Sequence, residues 1–355
     1  MSYIEELKNE TKQYYQILSK EIPEFIEEYV DTPSMLRLKG ISMIPGADWT
    51  NIIKLKYFNS RLDHSIGVAL IIWNFTKDKK QSLAGLFHDI ASPSFSHIVD
   101  CINGDYIKQE STEELTKDVI GQSKEIMELL KRDQIRLEEV CDYHKYPIAD
   151  NDTPMLAADR LEYTFSDSLQ IENGMDLQEI YEFYHDLTIL KNEKEEIELG
   201  FKSIEKAEKF VIVAKRLWEI ISQKNEFKLI MQFWTDYLKK MKNNQQIKEK
   251  DLYQISEQEF VEKIKNQRDK NMVALFEKFQ ESNKIGRSET QKQDVYCISI
   301  DAKKRYINPL VQIGDTVKRI SEISSIADRL IQDVLNFKDS KYAYLDFPYN
   351  QELNF

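Results

Sequence analysis

The chain has 355 residues, with 49 Lys and Arg against 61 Asp and Glu for a net charge of −12, and 41% of its residues are hydrophobic. That composition provides for a sizeable core and excludes wholesale disorder, and the length admits two folding units. Acidic and basic residues alternate, as in KNEKEEIELGFKSIEKAEK, so there is no basic stripe for broad nucleic-acid binding. No apolar run approaches the roughly 20 residues that span a bilayer, and the first residues, MSYIEELKNETKQ, lack a signal-peptide apolar core. Cys101, Cys141 and Cys297 form no CxxC pair, which argues against a disulfide framework or a cysteine zinc site. A soluble, cytoplasmic protein is expected.

With 10 Gly and 8 Pro in the whole chain, helical spacing dominates. Ile4, Leu7, Tyr14, Ile17, Leu18 and Ile22 predict one or two helices between Tyr3 and Val30, interrupted near Pro23. Buried helices are expected over Leu62–Phe75, Ser82–His88, Phe95–Cys101 and Pro154–Phe165. Pro93 disfavours helical geometry at Ser92, and Ser94 is placed to cap the helix that follows. Asp186–Phe201 alternates on both sides of a central turn and reads as a hairpin. Ser203–Met241, Glu257–Phe279 and Asp315–Val334 read as helices, and Val295–Ile300 and Arg305–Val311 as β-prone pieces. The expected fold class is mainly α with a small β accessory.

The chemistry concentrates in the five histidines, His64, His88, His97, His144 and His185. Three lie within residues 64–97, in otherwise apolar helices. His88 precedes Asp89 in AGLFHDI, and Asp159 follows an apolar turn in MLAADRLEY. A carboxylate at the edge of a buried helix costs several kcal/mol unless it is paired or coordinates a cation. Two imidazoles and two carboxylates suit divalent Mn, Fe, Ni or Zn, and the carboxylates admit Mg. Spacing alone leaves open whether the four form one metal site or are separate core and cap residues.

Arg61-x-x-His64, then His88-Asp89, then Asp159 resembles the signature of the HD-domain metal-dependent phosphohydrolases. The flanks NSRLDHSIGVALI, GLFHDIASPSFSHIVD and AADRLEYTFSD are similar to the branch that contains the deoxynucleoside triphosphate triphosphohydrolases. PSMLRLKGIS and AKKRYINPLV resemble further segments of that branch, so the likeness touches residues from about 33 to 312. It implies an HD helical core with N-terminal helices over residues 1–170, and a helical extension with small β-hairpin elements over 171–355. It implies His64, His88, Asp89 and Asp159 as ligands of a divalent metal ion, with Asp89 or a neighbouring carboxylate orienting water. Arg61, Arg160 and Tyr163 would position phosphates and sugar, and Asp167 would accept a hydrogen bond from a sugar hydroxyl. Arg37 and the cluster Lys303, Lys304 and Arg305 are further candidates for binding an anionic ligand.

Two positions depart from the family. Ser92 stands where a second histidine is usual, and Gln109-Glu110-Ser111 stands where a His-Glu pair supplies a general acid. His97 is the nearest remaining histidine able to take that role; His144 reads as a helix-end residue and His185 as surface. The expected activity is hydrolysis of a nucleotide, deoxynucleoside triphosphates first. The alternatives are an HD phosphodiesterase or nucleotidase, a nucleotide-binding regulatory protein with a weakened site, and a purely structural helical protein. A homo-oligomer is compatible with the resemblance; no membrane or nucleic-acid partner is expected.

Overall fold

The computed structural model describes residues 2–106, 111, 115–301 and 304–349. Helices account for 56% of the structure and strands for 11%, which makes the fold mainly helical with small sheets. At its centre lies the Arg61–Thr76 helix. It starts on a reciprocal cap between Ser60 and Asp63, ends at Lys77 in the left-handed region, and buries residues on every side. Such a helix is a core element rather than an amphipathic one, since each buried Leu or Ile contributes about 1.5–3 kcal/mol. The Lys79–Phe87 helix packs against it through Gly85, where an added Cβ would meet Ile72 at 2.2 Å. The Ala158–Gln170 helix crosses it on another side. These three elements bring His64, His88, Asp89 and Asp159 to one end of the bundle.

The N-terminal stretch forms helices Tyr3–Glu6, Asn9–Leu18 and Glu24–Val30, with Pro23 capping the last. Strands β1 (Leu187–Lys191) and β2 (Ile197–Phe201) make the expected hairpin. Strands β3 (Gly286–Ser288), β4 (Val295–Ile298), β5 (Leu310–Ile313), β6 (Thr316–Arg319) and β7 (Tyr342–Pro348) complete two sheets, ordered β1-β2-β5-β6 and β3-β7-β4. Among the described residues, only the β2–β5 pairing is parallel.

The later helices show where local pattern and tertiary context diverge. Thr316–Arg319 is a strand instead of the start of a helix, because the Gly314-Asp315 turn, with Gly314 at φ 56°, folds it back onto β5. Helix resumes over Ile320–Ile323 and Ser325–Asn336. The Ser203–Met241 stretch is divided into Ile204–Trp218 and Asn225–Asn243 by a π-helical turn, Glu219–Gln223. Glu257–Phe279 is likewise divided, into Glu257–Asn266 and Lys270–Glu281, where Asp269 caps the second helix. Ser94 does not cap the His97–Ile102 helix; Ser96 precedes that helix, and the Ser94 hydroxyl donates to Ile255 O.

One hydrophobic cluster runs through both halves of the chain. The Phe95 ring lies 4.3 Å from that of Trp234, and Tyr184 Oη donates to Leu18 O at 2.6 Å. Among the described residues, no helix is long and apolar enough to cross a membrane.

Candidate metal centre and active site

His64 and His88 face each other with their Nε2 atoms 3.1 Å apart. Asp159 Oδ1 lies 3.0 Å from Nε2 of His64 and 3.6 Å from Nε2 of His88, and Asp89 Oδ2 is 3.5 Å from Nε2 of His88. Among the described residues, His64, His88 and Asp89 form the one group whose potential ligand atoms all fall within 4.8 Å of one another. The far side of each ring decides its tautomer. His88 Nδ1 is 2.7 Å from Gly85 O, which can only accept, so Nδ1 carries a hydrogen. His64 Nδ1 meets the carboxylate of Glu162. With each Nδ1 engaged, both rings present Nε2 toward the other ring and toward the carboxylates, and a bound cation would take the Nε2 lone pairs in place of a proton. Four electron-pair donors pointing at one space suit a cation, and this donor set fits the divalent ions expected from its chemistry.

The electrostatics have the same origin. Burial opposes a charge on His64, but Glu162 and Asp159 outweigh it and carry the imidazole to about 10. Burial would raise Asp89 and Asp159. Arg61 and the two histidines hold Asp89 well below the usual carboxylate range, and His64, His88 and Arg160 do the same for Asp159.

Arg61 is committed to Asp89 rather than to Asp63. Its Nη1 lies 2.5 and 2.6 Å from the two Asp89 oxygens, and its Nε donates to Ser96 Oγ at 2.6 Å. Asp63 instead accepts from Ser60 and Tyr3. Ser92, where the resemblance leads to the expectation of a histidine, donates its hydroxyl to Asp89 Oδ1 at 3.0 Å. That hydrogen bond helps hold the Asp89 carboxylate in place.

A cavity of about 490 Å³ opens over the cluster, within the range of small-molecule sites. Arg61, Arg160, Lys228, Lys304 and Arg305 contribute to its walls, as do His97, Tyr163 and Asp167. His97 Nδ1 lies 3.0 Å from Asp100 Oδ2, and Asp100, itself fully buried, accepts from Ser111 Oγ at 2.6 Å. Burial lowers the His97 pKa. The Arg305 guanidinium lies over the Tyr163 ring, 5.7 Å from its centroid. Asp167 is buried with Oδ1 lacking a hydrogen-bond partner, and burial together with Glu162 pushes its carboxyl up to about 7.

Other expected residues are placed differently. Arg37 does not line the cavity; its Nη2 donates to Ile90 O at 3.0 Å and Ser92 O at 2.7 Å, which makes it a brace for the loop after Asp89. Arg160 is held by Asp150 at 3.1 Å, by Met155 O at 2.8 Å and by Asn151. Lys304 Nζ donates to Leu335 O. Lys303, Gln109 and Glu110 lie outside the described residues. His144 lines the cavity, paired with Asp142 at 3.3 Å and Asp150 at 3.4 Å. His185 is exposed and stacks on Tyr181.

Sequence reasoning missed Glu162, Asp100, Asp150 and Tyr143. The ring of Tyr143 lies 5.0 Å from that of His88. Glu162 and Asp100 each stand three residues from a functional candidate on a helix, the spacing that shares a face, and that was the available signal.

No family model matches the sequence. Over 189 residues, 53% of the chain, it is 32% identical to an uncharacterized Bacillus subtilis protein, YdhJ, of whose length the match spans 55%. Among solved structures it resembles a hypothetical protein from Aquifex aeolicus, with a TM-score of 0.62, 18% identity and coverage of 92% of this chain and 93% of that one. It also resembles a phosphohydrolase from Bacteroides thetaiotaomicron, with a TM-score of 0.63, 17% identity and coverage of 93% and 97%. Over nearly its whole length, this chain shares its fold with that phosphohydrolase.

Proposed function

We propose that the chain is a metal-dependent phosphohydrolase of the HD type acting on nucleotides, with deoxynucleoside triphosphates as first substrates and intact triphosphate as the released product. The observation that carries this reading is the convergence of His64, His88, Asp89 and Asp159 at a nucleotide-sized cavity with arginine and lysine in its walls. A divalent ion bound there would polarise a phosphoryl oxygen and make water more acidic.

The remaining work falls to the chain. Glu162 and Gly85 O hold the two imidazoles in the tautomer that presents Nε2. Arg61 and Ser92 fix the Asp89 carboxylate. Arg305, over Tyr163, supplies positive charge for phosphate oxygens, and Arg160, on the Ala158–Gln170 helix and held by the Asp150–Met155 loop, adds more. Asp167, with an unpartnered oxygen, accepts a ligand hydroxyl. His97, its Nδ1–H donated to Asp100, presents a neutral Nε2 that relays a proton to the departing oxygen.

The test is hydrolysis of a panel of ribo- and deoxynucleotides with Mn, Mg, Fe, Ni or Zn, with the products resolved. Metal-dependent triphosphate release that disappears in His88→Ala/Asp89→Ala is the expected result. Phosphate release from monophosphates alone would assign a nucleotidase instead. Bound metal and nucleotide without turnover would assign a binding protein.

A further inference from the structure

The segment from Ser92 to Ser96 joins Asp89 to His97, and the C-terminal half grips it. Ser94 N–H donates to Leu252 O at 2.7 Å, and the Phe95 ring sits 4.3 Å from Trp234 and 5.3 Å from Phe260. The backbone there is unusual. Phe95 and Ser96 have φ of 65° and 43°, a left-handed conformation that residues other than glycine hold only when their surroundings enforce it.

Glu257 stands directly against this turn. It is the first residue of the Glu257–Asn266 helix and is fully buried. Its Oε1 accepts the backbone N–H groups of both Phe95 and Ser42 at 3.1 Å, and its Oε2 accepts the indole N–H of Trp49 at 2.9 Å. The next residue of the turn, Ser96, accepts the Nε hydrogen of Arg61, which grips Asp89, and the residue after that is His97. A buried carboxylate from the far half of the chain thus binds Phe95, one residue before the partner of Arg61 and two residues before His97.

We propose that Glu257 is a positioning residue for the active site: its carboxylate holds the Phe95–Ser96 turn in the left-handed conformation and thereby sets Arg61 and His97 beside the metal ligands. Its kinetic consequence rests on the phosphohydrolase reading; its conformational consequence does not. At Glu257 the chemistry demands two accepting oxygens. Three N–H donors converge on its two oxygens, so each arm must accept. An amide at this position presents an acceptor on one arm only, and its NH₂ confronts either the two backbone N–H groups or the indole N–H of Trp49. Removing the indole donor as well relieves that conflict, because the amide carbonyl can then serve Phe95 and Ser42.

The experiment compares the wild type with Glu257→Gln, Trp49→Phe and the double variant Trp49→Phe/Glu257→Gln. It reads hydrogen exchange across residues 92–99, thermal melting, and kcat and KM on the best substrate of the panel. Glu257→Gln should speed exchange in that segment and lower kcat by about 10²-fold with KM little changed, as displacement of reacting groups by about 1 Å does. The double variant should recover both slow exchange and kcat, which a general loss of stability would not do. Unchanged exchange in Glu257→Gln, or a double variant no better than the single, would overturn the proposal. If the protein is inert toward every substrate, the exchange criteria alone decide it.

Discussion

The Glu162 carboxylate reaches Nδ1 of His64 over Gly67, where an added Cβ would lie 2.6 Å from Oε1 and 2.7 Å from Cγ of Glu162. Tyr14 Oη and Ser166 Oγ donate to the same carboxylate at 2.9 and 3.1 Å, so it has no room to retreat. Carboxylates that orient a ligating histidine are typically worth 10–100-fold in metal affinity or activity. Gly67→Ala should therefore weaken divalent-ion binding by about 10–100-fold, and Glu162→Gln should follow it. Titration with a competing chelator checks this, and an affinity unchanged in Gly67→Ala would contradict the orienting role.

Arg37 is a structural brace. Its guanidinium serves two carbonyls of the loop after Asp89 while its Nη1 is buried without a partner. Arg37→Met removes hydrogen bonds from a charged donor, each worth about 1.5–3 kcal/mol. The expected outcome is a lower melting temperature with KM for the substrate preserved. A large rise in KM at unchanged stability would instead place Arg37 on the ligand.

Two carboxylates share Arg319, and their environments separate their worth. Glu198 is fully buried, pairs with Arg319 at 2.6 and 2.9 Å, and also accepts Leu156 N–H at 3.1 Å, three residues before Asp159. Glu193 binds the same guanidinium with a side chain that is 59% exposed. Removing one partner of a buried pair costs about 3–5 kcal/mol, whereas exposed pairs contribute about 0–1 kcal/mol. Denaturant melts should show Glu198→Ala far more damaging than Glu193→Ala; equal effects would show that burial does not set the difference.

The buried acids Asp48 and Glu257 give a pH dependence with a defined sign. Burial pushes Asp48 up to about 6, and burial together with Asp48 pushes Glu257 up to about 7. The folded state therefore binds more protons than the unfolded chain between the ordinary carboxylate range and pH 7. The stability that these groups contribute is complete at low pH and lost as pH rises through 6 and 7. Asp48→Asn should flatten that loss, so its melting temperature relative to the wild type should climb from about pH 4 to about pH 6 and level off above it. A difference that stays constant with pH would refute the assignment.

Much of the architecture was legible in local pattern. The apolar run after Arg61 required a buried helix, and the helix found spans Arg61–Thr76. The alternation around Asn192–Glu196 required a hairpin, which pairs Thr188 with Gly200 and Ile189 with Leu199. The stretch Asp315–Arg319 misled because its residues suit either state, and only β5 beside it made it a strand.

By itself, the sequence singled out the candidates for the chemistry: a few histidines and aspartates in apolar helices, where an uncompensated charge is costly. The tertiary structure alone decided their partners. Arg61 looks locally like a mate for Asp63, two residues away, yet it binds Asp89; His64 finds Glu162, 98 positions away, and the Phe95 turn finds Glu257, 162 positions away. Helical and strand periodicity follow from backbone geometry and are written over a few residues. The hydrogen-bond partner of a buried group depends on which helices cross and where a small residue such as Gly67 lets them close, and no local window contains that information.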